Sequence, residues 1–227
     1  MVLYQYNENS KAKNLPISNN LFSMLQKDIL QGKMRASEKL TEQSICDKYK
    51  VSRTPVREAL RQLEMEGLIE TIPNRGAFVI GFSQQDMADM YELRKAYEIQ
   101  AVRWAIERIT DDEMADLEET FEFMEFYTQK NDIHKMLNIN TGFHQLIYTA
   151  SHNRMLQHVL SSYQIYIKHS RKSETFPDNY LAEVLEEHRE IFLAFQNKDV
   201  EAGAQAMGKH MDTSISRIKN AVKSTEL

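Results

Sequence analysis

The chain has 227 residues, of which 42% are hydrophobic, and its formal net charge is −5. This length suits one large domain or two ordinary ones, and the apolar content is enough to build their cores. Seven Gly and four Pro are few for the length, so most of the chain is predicted to be helical. The lone Cys46 excludes an intrachain disulfide, and no segment has the apolar length of a signal peptide or a membrane span. We therefore expect a soluble, cytoplasmic protein.

Charge is distributed unevenly along the chain. Residues 1–82 carry 12 Lys and Arg against 9 Asp and Glu, whereas the remainder carries 16 basic and 24 acidic residues. A net-positive module can approach the phosphates of DNA, and an acidic body is repelled by them. The distribution predicts nucleic-acid contact by the amino-terminal part alone.

The chain begins with a polar segment that is followed by helical patterns. Residues 1–15 are aperiodic, which predicts a flexible arm. From Ile17 onward apolar residues recur at helical spacing, and Gly32 ends this first helix. Thr41 has the side chain of a helix cap, and the short helix behind it places Ile45 on its buried face.

The next segment predicts an amphipathic helix behind a tight turn at residues 49–51. The Ser52 hydroxyl can accept a hydrogen bond from the N–H groups of the first turn, and Pro55 lies early enough to break no helical bond. One face is apolar and a neighbouring face is mostly basic: Val56, Ala59, Leu60 and Leu63 on the first, Arg53, Thr54, Arg57 and Arg61 on the second. The two short helices form a helix-turn-helix, in which the second helix reads DNA.

A β-hairpin is predicted to follow this helix. Two β-prone segments, residues 68–72 and 77–80, are separated by a turn that contains Arg75 and Gly76. Arg75 at the tip can reach a minor groove or a phosphate, and Gly76 lets the backbone come close. This hairpin is a wing, so residues 16–80 are predicted to form a winged helix-turn-helix.

The basic face has a plainer alternative, in which Glu58 and Glu64 pair with the arginines on a solvated helix surface. The cap, the preceding short helix, the positive module and the wing favour DNA contact instead.

Four sequence runs resemble the winged helix-turn-helix of GntR-family bacterial transcription regulators. They are Leu40 to Glu42, VSRTPVREAL from Val51, EGLI from Glu66 and NRGAFV from Asn74. The resemblance implies DNA contacts by recognition-helix and wing residues, namely Ser52, Arg53, Thr54, Arg57, Arg75 and Gly76. Gln43 stands where the family often has an arginine, so a contact there is expected to be weaker or differently specified.

After a linker at residues 81–83, six helical segments predict a bundle over residues 84–222. Their expected bounds are 84–109, 111–129, 131–150, 154–172, 178–197 and 199–222. Thr110 and Glu113 form a capping box at the start of the second helix. The predicted fold class is mainly α, with an N-terminal winged helix-turn-helix and a small β-hairpin, followed by an all-α six-helix bundle.

Three of the seven histidines are candidate metal ligands inside this bundle. His144 lies four residues after Asn140, so one helical face carries both, and His188 and His210 lie on two later helices. Each histidine taken alone is more often a structural or surface residue, and the spacing leaves that alternative open. Imidazole suits Zn, Ni, Co, Fe or Mn, so the pattern does not name the ion.

A second resemblance concerns residues 84–222, which are similar to the FCD effector domain of the FadR-type branch of GntR regulators. The run NTGFH from Asn140, the run EHR around His188 and the helix with His210 carry this resemblance. Many members bind a divalent metal through an aspartate and three histidines. The resemblance therefore implies a Zn-, Ni- or Mn-like ion at Asn140, His144, His188 and His210, held more weakly because Asn140 replaces the charged aspartate.

Arg94 falls where that family usually has an inward-facing arginine. By resemblance it would clamp a carboxylate of a small organic-acid effector, which a guanidinium can hold with two hydrogen bonds. The alternative for Arg94 is an ordinary salt bridge with Glu98.

The whole pattern predicts a homodimeric DNA-binding regulator, a repressor of a metabolic operon that reads a pseudo-palindromic double-stranded operator. A carboxylate-like metabolite bound beside the metal would control it. One alternative is a metal-sensing repressor in which the ion is the signal. Another is a metal-dependent enzyme, which has less support because Asn140 replaces the best candidate base and no nucleophile motif or Gly-rich phosphate loop is present.

Overall fold

The computed structural model describes residues 17–170 and 176–223. The chain divides into two compact units, the first ending at Ser83 and the second beginning at Gln84. The predicted flexible arm at residues 1–15 lies outside the described residues. None of the helices in the described part of the chain has the length and apolar content needed to cross a membrane.

The described part of the first unit contains helices and short strands in the order of a winged helix-turn-helix. They are α1 (Ile17–Leu30), β1 (Lys39–Leu40), α2 (Glu42–Tyr49), α3 (Arg53–Met65), β2 (Ile69–Ile72) and β3 (Gly76–Val79). Helices α1 and α2 pack against α3, which also contacts β2. The core of the first unit is built mainly from aliphatic side chains, including Leu21, Leu25, Ile29, Leu40, Ile45, Val56, Ala59, Leu63, Leu68 and Ile69.

The predicted hairpin is confirmed, and the structure adds a third strand to it. Strand β3 is central, with β1 and β2 antiparallel on its two sides. The turn between β2 and β3 uses left-handed backbone, with Asn74 at φ 61° and Gly76 at φ 101°. Strand β1 was not predicted, because a two-residue strand is too short to show an alternating pattern.

The helix caps agree with the sequence at Thr41 and differ at Ser52. Thr41 accepts a hydrogen bond from the Ser44 N–H at 3.1 Å, as predicted. Ser52 is the residue before α3, but its side chain makes no cap hydrogen bond, so that prediction was wrong. The reason lies in Pro55, which takes the third helical position and has no N–H to donate to a capping side chain. The exposed Ser52 hydroxyl therefore remains on the surface without a capping role.

The described part of the second unit contains the six predicted helices, and their bounds agree with the sequence to within two residues. They are α4 (Gln84–Arg108), α5 (Asp111–Gln129), α6 (Ile133–Ala150), α7 (Arg154–Ser170), α8 (Tyr180–Gln196) and α9 (Val200–Lys223). The predicted end of the fourth helix, at residue 172, lies outside the described residues. Helix α4 packs against α6, α7 and α9, α5 packs against α6 and α8, and α8 packs against α9.

Local chemistry fixes where two of these helices begin. The capping box at α5 is confirmed, because Thr110 Oγ1 accepts from the Glu113 N–H at 3.3 Å and Glu113 Oε2 accepts from the Thr110 N–H at 3.0 Å. Asp132 caps α6 by accepting from the Lys135 N–H at 3.1 Å. These starts orient α6, which carries two of the candidate metal ligands.

Helices α4 and α9 approach each other closely at Gly203. A Cβ atom on Gly203 would lie 2.9 Å from Val102 Cγ1 and would also clash with the Ile106 side chain. By contrast, a Cβ on Gly142 in α6 would meet nothing within 4 Å. The first glycine is therefore required by packing and the second is not.

These two glycines give a matched test of the packing. Gly203→Ala should lower the free energy of unfolding by about 1–3 kcal/mol, because the added methyl overpacks a filled interface. Gly142→Ala should raise it by about 0.5–1 kcal/mol, because alanine is the better helix former. Urea unfolding of both variants measures the difference. Equal effects of the two substitutions would contradict the packing shown between α4 and α9.

Candidate nucleic-acid interface and metal centre

Helix α3 buries one face and exposes the other. The side chains of Val56, Ala59 and Leu63 are completely buried in the first unit. The predicted DNA-contacting residues are all exposed: Ser52, Arg53, Thr54 and Arg57 on α3 and its cap, Gln43 on α2, and Arg75 and Gly76 on the wing. The apolar face therefore docks and the mostly basic face meets solvent, as the amphipathic pattern predicted.

Two arginines of this exposed face are paired with the preceding helix. Arg57 Nε donates to Glu42 Oε1 at 2.7 Å, and Arg53 Nη2 donates to Gln43 Oε1 at 3.3 Å. The hydrogen bond from Arg57 lowers the pKa of the Glu42 carboxyl. Exposed pairs of this kind contribute little to stability, so the arginines can exchange these partners for DNA.

The alternative in which the basic face is only a solvated helix surface predicted other partners for its arginines. It paired the arginines with Glu58 and Glu64 on the same helix, whereas the observed partners of Arg53 and Arg57 lie on α2. Glu64 instead accepts a hydrogen bond from the Thr71 N–H at 2.9 Å and so ties α3 to the wing.

The wing exposes its tip. Arg75 lies in the turn between β2 and β3, where its N–H donates to the Ile72 carbonyl at 3.0 Å. Its guanidinium lies 5.8 Å from the centre of the Phe78 ring, which supports the side chain from one face. Gly76 beside it has a φ of 101°, a conformation that favours glycine.

The three predicted histidines come together in the second unit. His144 on α6, His188 on α8 and His210 on α9 are all buried, and each offers a ring nitrogen within 4.8 Å of the others. The centres of their rings are 4.6–5.3 Å apart. We call these three residues the histidine cluster.

The outward nitrogen of each histidine contacts an acceptor. His188 Nδ1 lies 2.7 Å from the Val184 carbonyl, His210 Nδ1 lies 2.8 Å from Glu187 Oε2, and His144 Nδ1 lies 3.2 Å from Glu98 Oε2. Carbonyl and carboxylate oxygens accept hydrogen bonds, so a proton on each Nδ1 satisfies these contacts. With the proton on Nδ1, the Nε2 atom of each ring carries the lone pair that can bind a cation.

Two buried acceptors in this region lack a hydrogen-bond partner. Within the described residues, they are His188 Nε2 and Asn140 Oδ1, the latter one helical turn before His144 on α6. Buried polar atoms nearly always have a partner, and a cation satisfies acceptors that no donor reaches. Three buried imidazoles whose ring nitrogens lie within 4.8 Å of one another therefore fit a divalent metal ion, and Asn140 Oδ1 is an unsatisfied acceptor one helical turn from His144.

Burial keeps these ligands ready for a cation. Burial, together with the neighbouring His210 and His144, holds the pKa of His188 well below its usual range. Burial also lowers the pKa of His210, despite the opposing effect of Glu187. Both rings are therefore neutral at physiological pH, and a neutral imidazole is the form that binds metal.

The completely buried Glu98 connects the cluster to Arg94. Arg94 Nε and Nη2 donate to Glu98 Oε1 at 2.9 Å and 2.7 Å, and the Tyr148 hydroxyl donates to the same oxygen. Burial raises the pKa of Glu98, but His144, Arg94 and Tyr148 outweigh it and lower the pKa to about 2. Glu98 is therefore a carboxylate that orients His144.

The sequence had named Arg94 as an effector clamp and Glu98 only as its alternative partner. The structure shows the Arg94–Glu98 salt bridge, which the spacing of four residues signals. Nothing in the sequence signals the contact of Glu98 with His144, which lies 46 residues further on. Tyr148 was missed for the same reason.

A second carboxylate supports His210 in a similar way. Glu187 also accepts two hydrogen bonds from Arg217, at 3.2 Å and 2.6 Å. Burial raises the pKa of Glu187, but hydrogen bonds from His210 and Arg217 lower it overall. No pattern in the sequence signals this pair, because Arg217 lies 30 residues beyond Glu187.

A winged helix-turn-helix joined to a helical unit with a buried ligand-competent cluster defines a two-domain transcription regulator. Residues 17–79 match the family model described as bacterial regulatory proteins, gntR family, and residues 89–213 match the FCD domain. The chain belongs to the GntR family of transcription regulators, in the group with an FCD domain. It is a DNA-binding regulator and not an enzyme, so the metal-dependent enzyme is ruled out as its function.

Similar proteins agree with this assignment along nearly the whole chain. The Nta operon transcriptional regulator of Aminobacter aminovorans is 32% identical over 83% of this chain and 90% of its own length. The galactonate operon transcriptional repressor of Escherichia coli K12 is 27% identical over 86% of this chain and 93% of its own length. Among solved structures, E. coli McbR/YncC has a similar fold, with a TM-score of 0.70 at 21% identity over 92% of this chain and 99% of its own.

The buried ion pair at Glu98 predicts a large stability effect. Glu98→Gln should lower the free energy of unfolding by about 3–5 kcal/mol, because it leaves the Arg94 charge buried without a counter-charge. The exposed Arg103–Glu201 pair supplies the control, and Glu201→Gln should leave unfolding unchanged within error. Chemical denaturation measures both. A free energy of unfolding that Glu98→Gln left unchanged would contradict the described salt bridge.

Proposed function

We propose that this chain is a homodimeric repressor of a metabolic operon, controlled by a small carboxylate that binds beside a metal ion in the helical unit. The observation that carries the proposal is the histidine cluster with its two unsatisfied acceptors, in a chain whose other unit exposes an arginine-bearing recognition helix. The histidine cluster would bind the signal, and the recognition helix would bind the operator DNA.

On the DNA side, Arg53 and Arg57 are proposed to read bases, because an arginine can hold a guanine through two hydrogen bonds. Ser52 and Thr54 are exposed beside them and are proposed to contact phosphate or base edges. Gln43, which accepts from Arg53, would orient that arginine or contact DNA itself.

The wing supplies the remaining proposed contacts. Arg75 and Gly76 are exposed at its tip, where a guanidinium can enter a minor groove or meet a phosphate. A homodimer would present two such modules, so the operator is expected to be a pseudo-palindrome.

On the effector side, the Nε2 atoms of the histidine cluster and Asn140 Oδ1 would hold a Zn-, Ni- or Mn-like ion. An ion bound there would take a carboxylate oxygen of the effector as an additional ligand, by expanding its coordination beyond these four donors. Arg94 is proposed to hold the second oxygen of the effector. Its guanidinium is hydrogen-bonded to Glu98. To bind the effector, Arg94 would either donate to both carboxylates at once or give up its hydrogen bonds to Glu98.

The relatives support a metabolic role. One is named as the repressor of a galactonate operon, and another as the regulator of an Nta operon. Galactonate is a carboxylate, which is the class of effector proposed here.

A metal-sensing repressor is the second candidate function. Two observations favour it: all three histidines are buried, and Arg94 is already paired with Glu98. Under this alternative the metal ion alone is the signal, and no carboxylate needs to bind Arg94. The two candidates differ in whether the ion alone changes DNA affinity.

The proposed DNA contact predicts a specific loss. Arg57→Ala should remove operator preference, at a cost of about 1–3 kcal/mol in specific binding, because a guanine loses its bidentate partner. Arg154→Ala removes the same charge from an exposed position in the second unit and should leave operator binding unchanged. Fluorescence anisotropy with operator and scrambled DNA measures both. Operator preference of wild-type strength in Arg57→Ala would refute the assignment.

The two candidate functions predict different responses to metal. The full chain, stripped of metal by a chelator, is titrated onto operator DNA with Zn²⁺ alone and then with Zn²⁺ plus candidate carboxylates. Metabolite control predicts that DNA affinity changes only when the carboxylate is present, and that DNA weakens carboxylate binding by the same factor. A full response to Zn²⁺ alone would favour metal sensing. In either case His188→Ala should abolish the response and preserve DNA binding in the absence of metal.

A further inference from the structure

The donor set of the candidate metal centre carries no formal charge. It has the three imidazoles of the histidine cluster and, in the function proposed above, the amide oxygen of Asn140, whose Oδ1 is buried without a partner among the described residues. Imidazole binds a metal ion in its neutral form, and an amide is uncharged. None of these donors is negatively charged, so none of them would offset the charge of a divalent ion.

The carboxylates next to the cluster are engaged elsewhere. Glu98 Oε2 lies 3.2 Å from His144 Nδ1, and Glu98 Oε1 accepts from Arg94 and Tyr148. Glu187 lies 2.8 Å from His210 Nδ1, and both of its oxygens accept from Arg217. Each carboxylate therefore supports a histidine from behind, with an arginine offsetting its charge.

Such a site binds some ions well and others poorly. Imidazole suits Zn²⁺, Ni²⁺ and Co²⁺, whose affinities for nitrogen donors exceed that of Mn²⁺, whereas Mn²⁺ and Mg²⁺ favour carboxylate and water oxygens. Hydrogen bonds from Nδ1 to Glu98 and Glu187 make the two imidazoles more basic, which strengthens the nitrogen contribution. Mn²⁺ and Mg²⁺, which favour carboxylate oxygens, would have no carboxylate among these donors.

We propose that Asn140 is a specificity-determining residue that reserves this centre for Zn²⁺, Ni²⁺ or Co²⁺ and excludes Mn²⁺ and Mg²⁺. The inference rests on the metal centre of the proposed function and narrows its range of ions. A neutral amide lowers the affinity for every divalent ion, and only ions held strongly by three imidazoles remain bound.

The test compares Asn140→Asp with a matched control. Asn138→Asp adds the same charge on the same helix at an exposed position. Full-length chains stripped of metal are titrated with Zn²⁺ against a chromophoric chelator, and with Mn²⁺ while the free ion is followed by electron paramagnetic resonance. The visible spectrum of added Co²⁺ reports its coordination, and circular dichroism and thermal melting report folding.

Wild type should bind one Zn²⁺ per chain and hold Mn²⁺ at least about a hundredfold more weakly. Asn140→Asp should raise the affinity for Mn²⁺ about tenfold or more, because a carboxylate supplies both a preferred oxygen and a negative charge. It should also change the Co²⁺ spectrum, whereas Asn138→Asp should match wild type in both measurements.

The outcomes separate the inference from the proposal beneath it. A wild-type chain that binds none of these ions would overturn the metal centre itself. Wild-type binding of Mn²⁺ as tight as that of Zn²⁺, or an equal gain in Mn²⁺ affinity from Asn138→Asp, would overturn the role of Asn140 and leave the centre in place. The wild-type comparison can overturn the inference even if Asn140→Asp does not fold.

Discussion

The helical unit depends on the need to satisfy polar groups that are buried in it. Glu98 has no solvent exposure, yet it remains ionised because Arg94, His144 and Tyr148 all bind it. That arrangement fixes α4 against α6 and aims one imidazole at the histidine cluster. Where the satisfaction is incomplete, at His188 Nε2 and Asn140 Oδ1, the structure has two acceptors and no donor within the described residues. The proposed binding of a metal ion at the histidine cluster rests on these two unsatisfied acceptors.

The two units use arginine in opposite ways. In the second unit Arg94 is buried, and its charge is committed to a carboxylate that it cannot leave without a replacement anion. In the first unit Arg53 and Arg57 are exposed and pair with α2 through contacts that solvent weakens. The exposed arginines can change partners at little cost, which suits residues that meet DNA. The buried one would change partner only if another anion replaced Glu98, as the proposed carboxylate effector would.

The sequence predicted most of the fold and part of the site, and the difference has a physical cause. Helices were predictable because apolar spacing and caps such as Thr110 act within a few residues. The three histidines were found by motif resemblance, and the structure brings them together. Glu187 and Arg217 were missed because their pairing joins two helices and leaves no periodic trace. The Ser52 cap failed because the pattern located a capping residue but ignored the missing N–H of Pro55.

X-ray absorption of the zinc-loaded full-length chain tests the central claim, that the histidine cluster is a metal-binding input, most directly. A metal-binding histidine cluster should hold one zinc ion per chain, with three imidazole ligands at about 2.0–2.1 Å and an oxygen at a similar distance. His188→Ala should reduce the imidazole signal to two ligands or abolish binding. Sulfur scattering from Cys46, or a zinc environment with fewer than three imidazoles in wild type, would contradict the account.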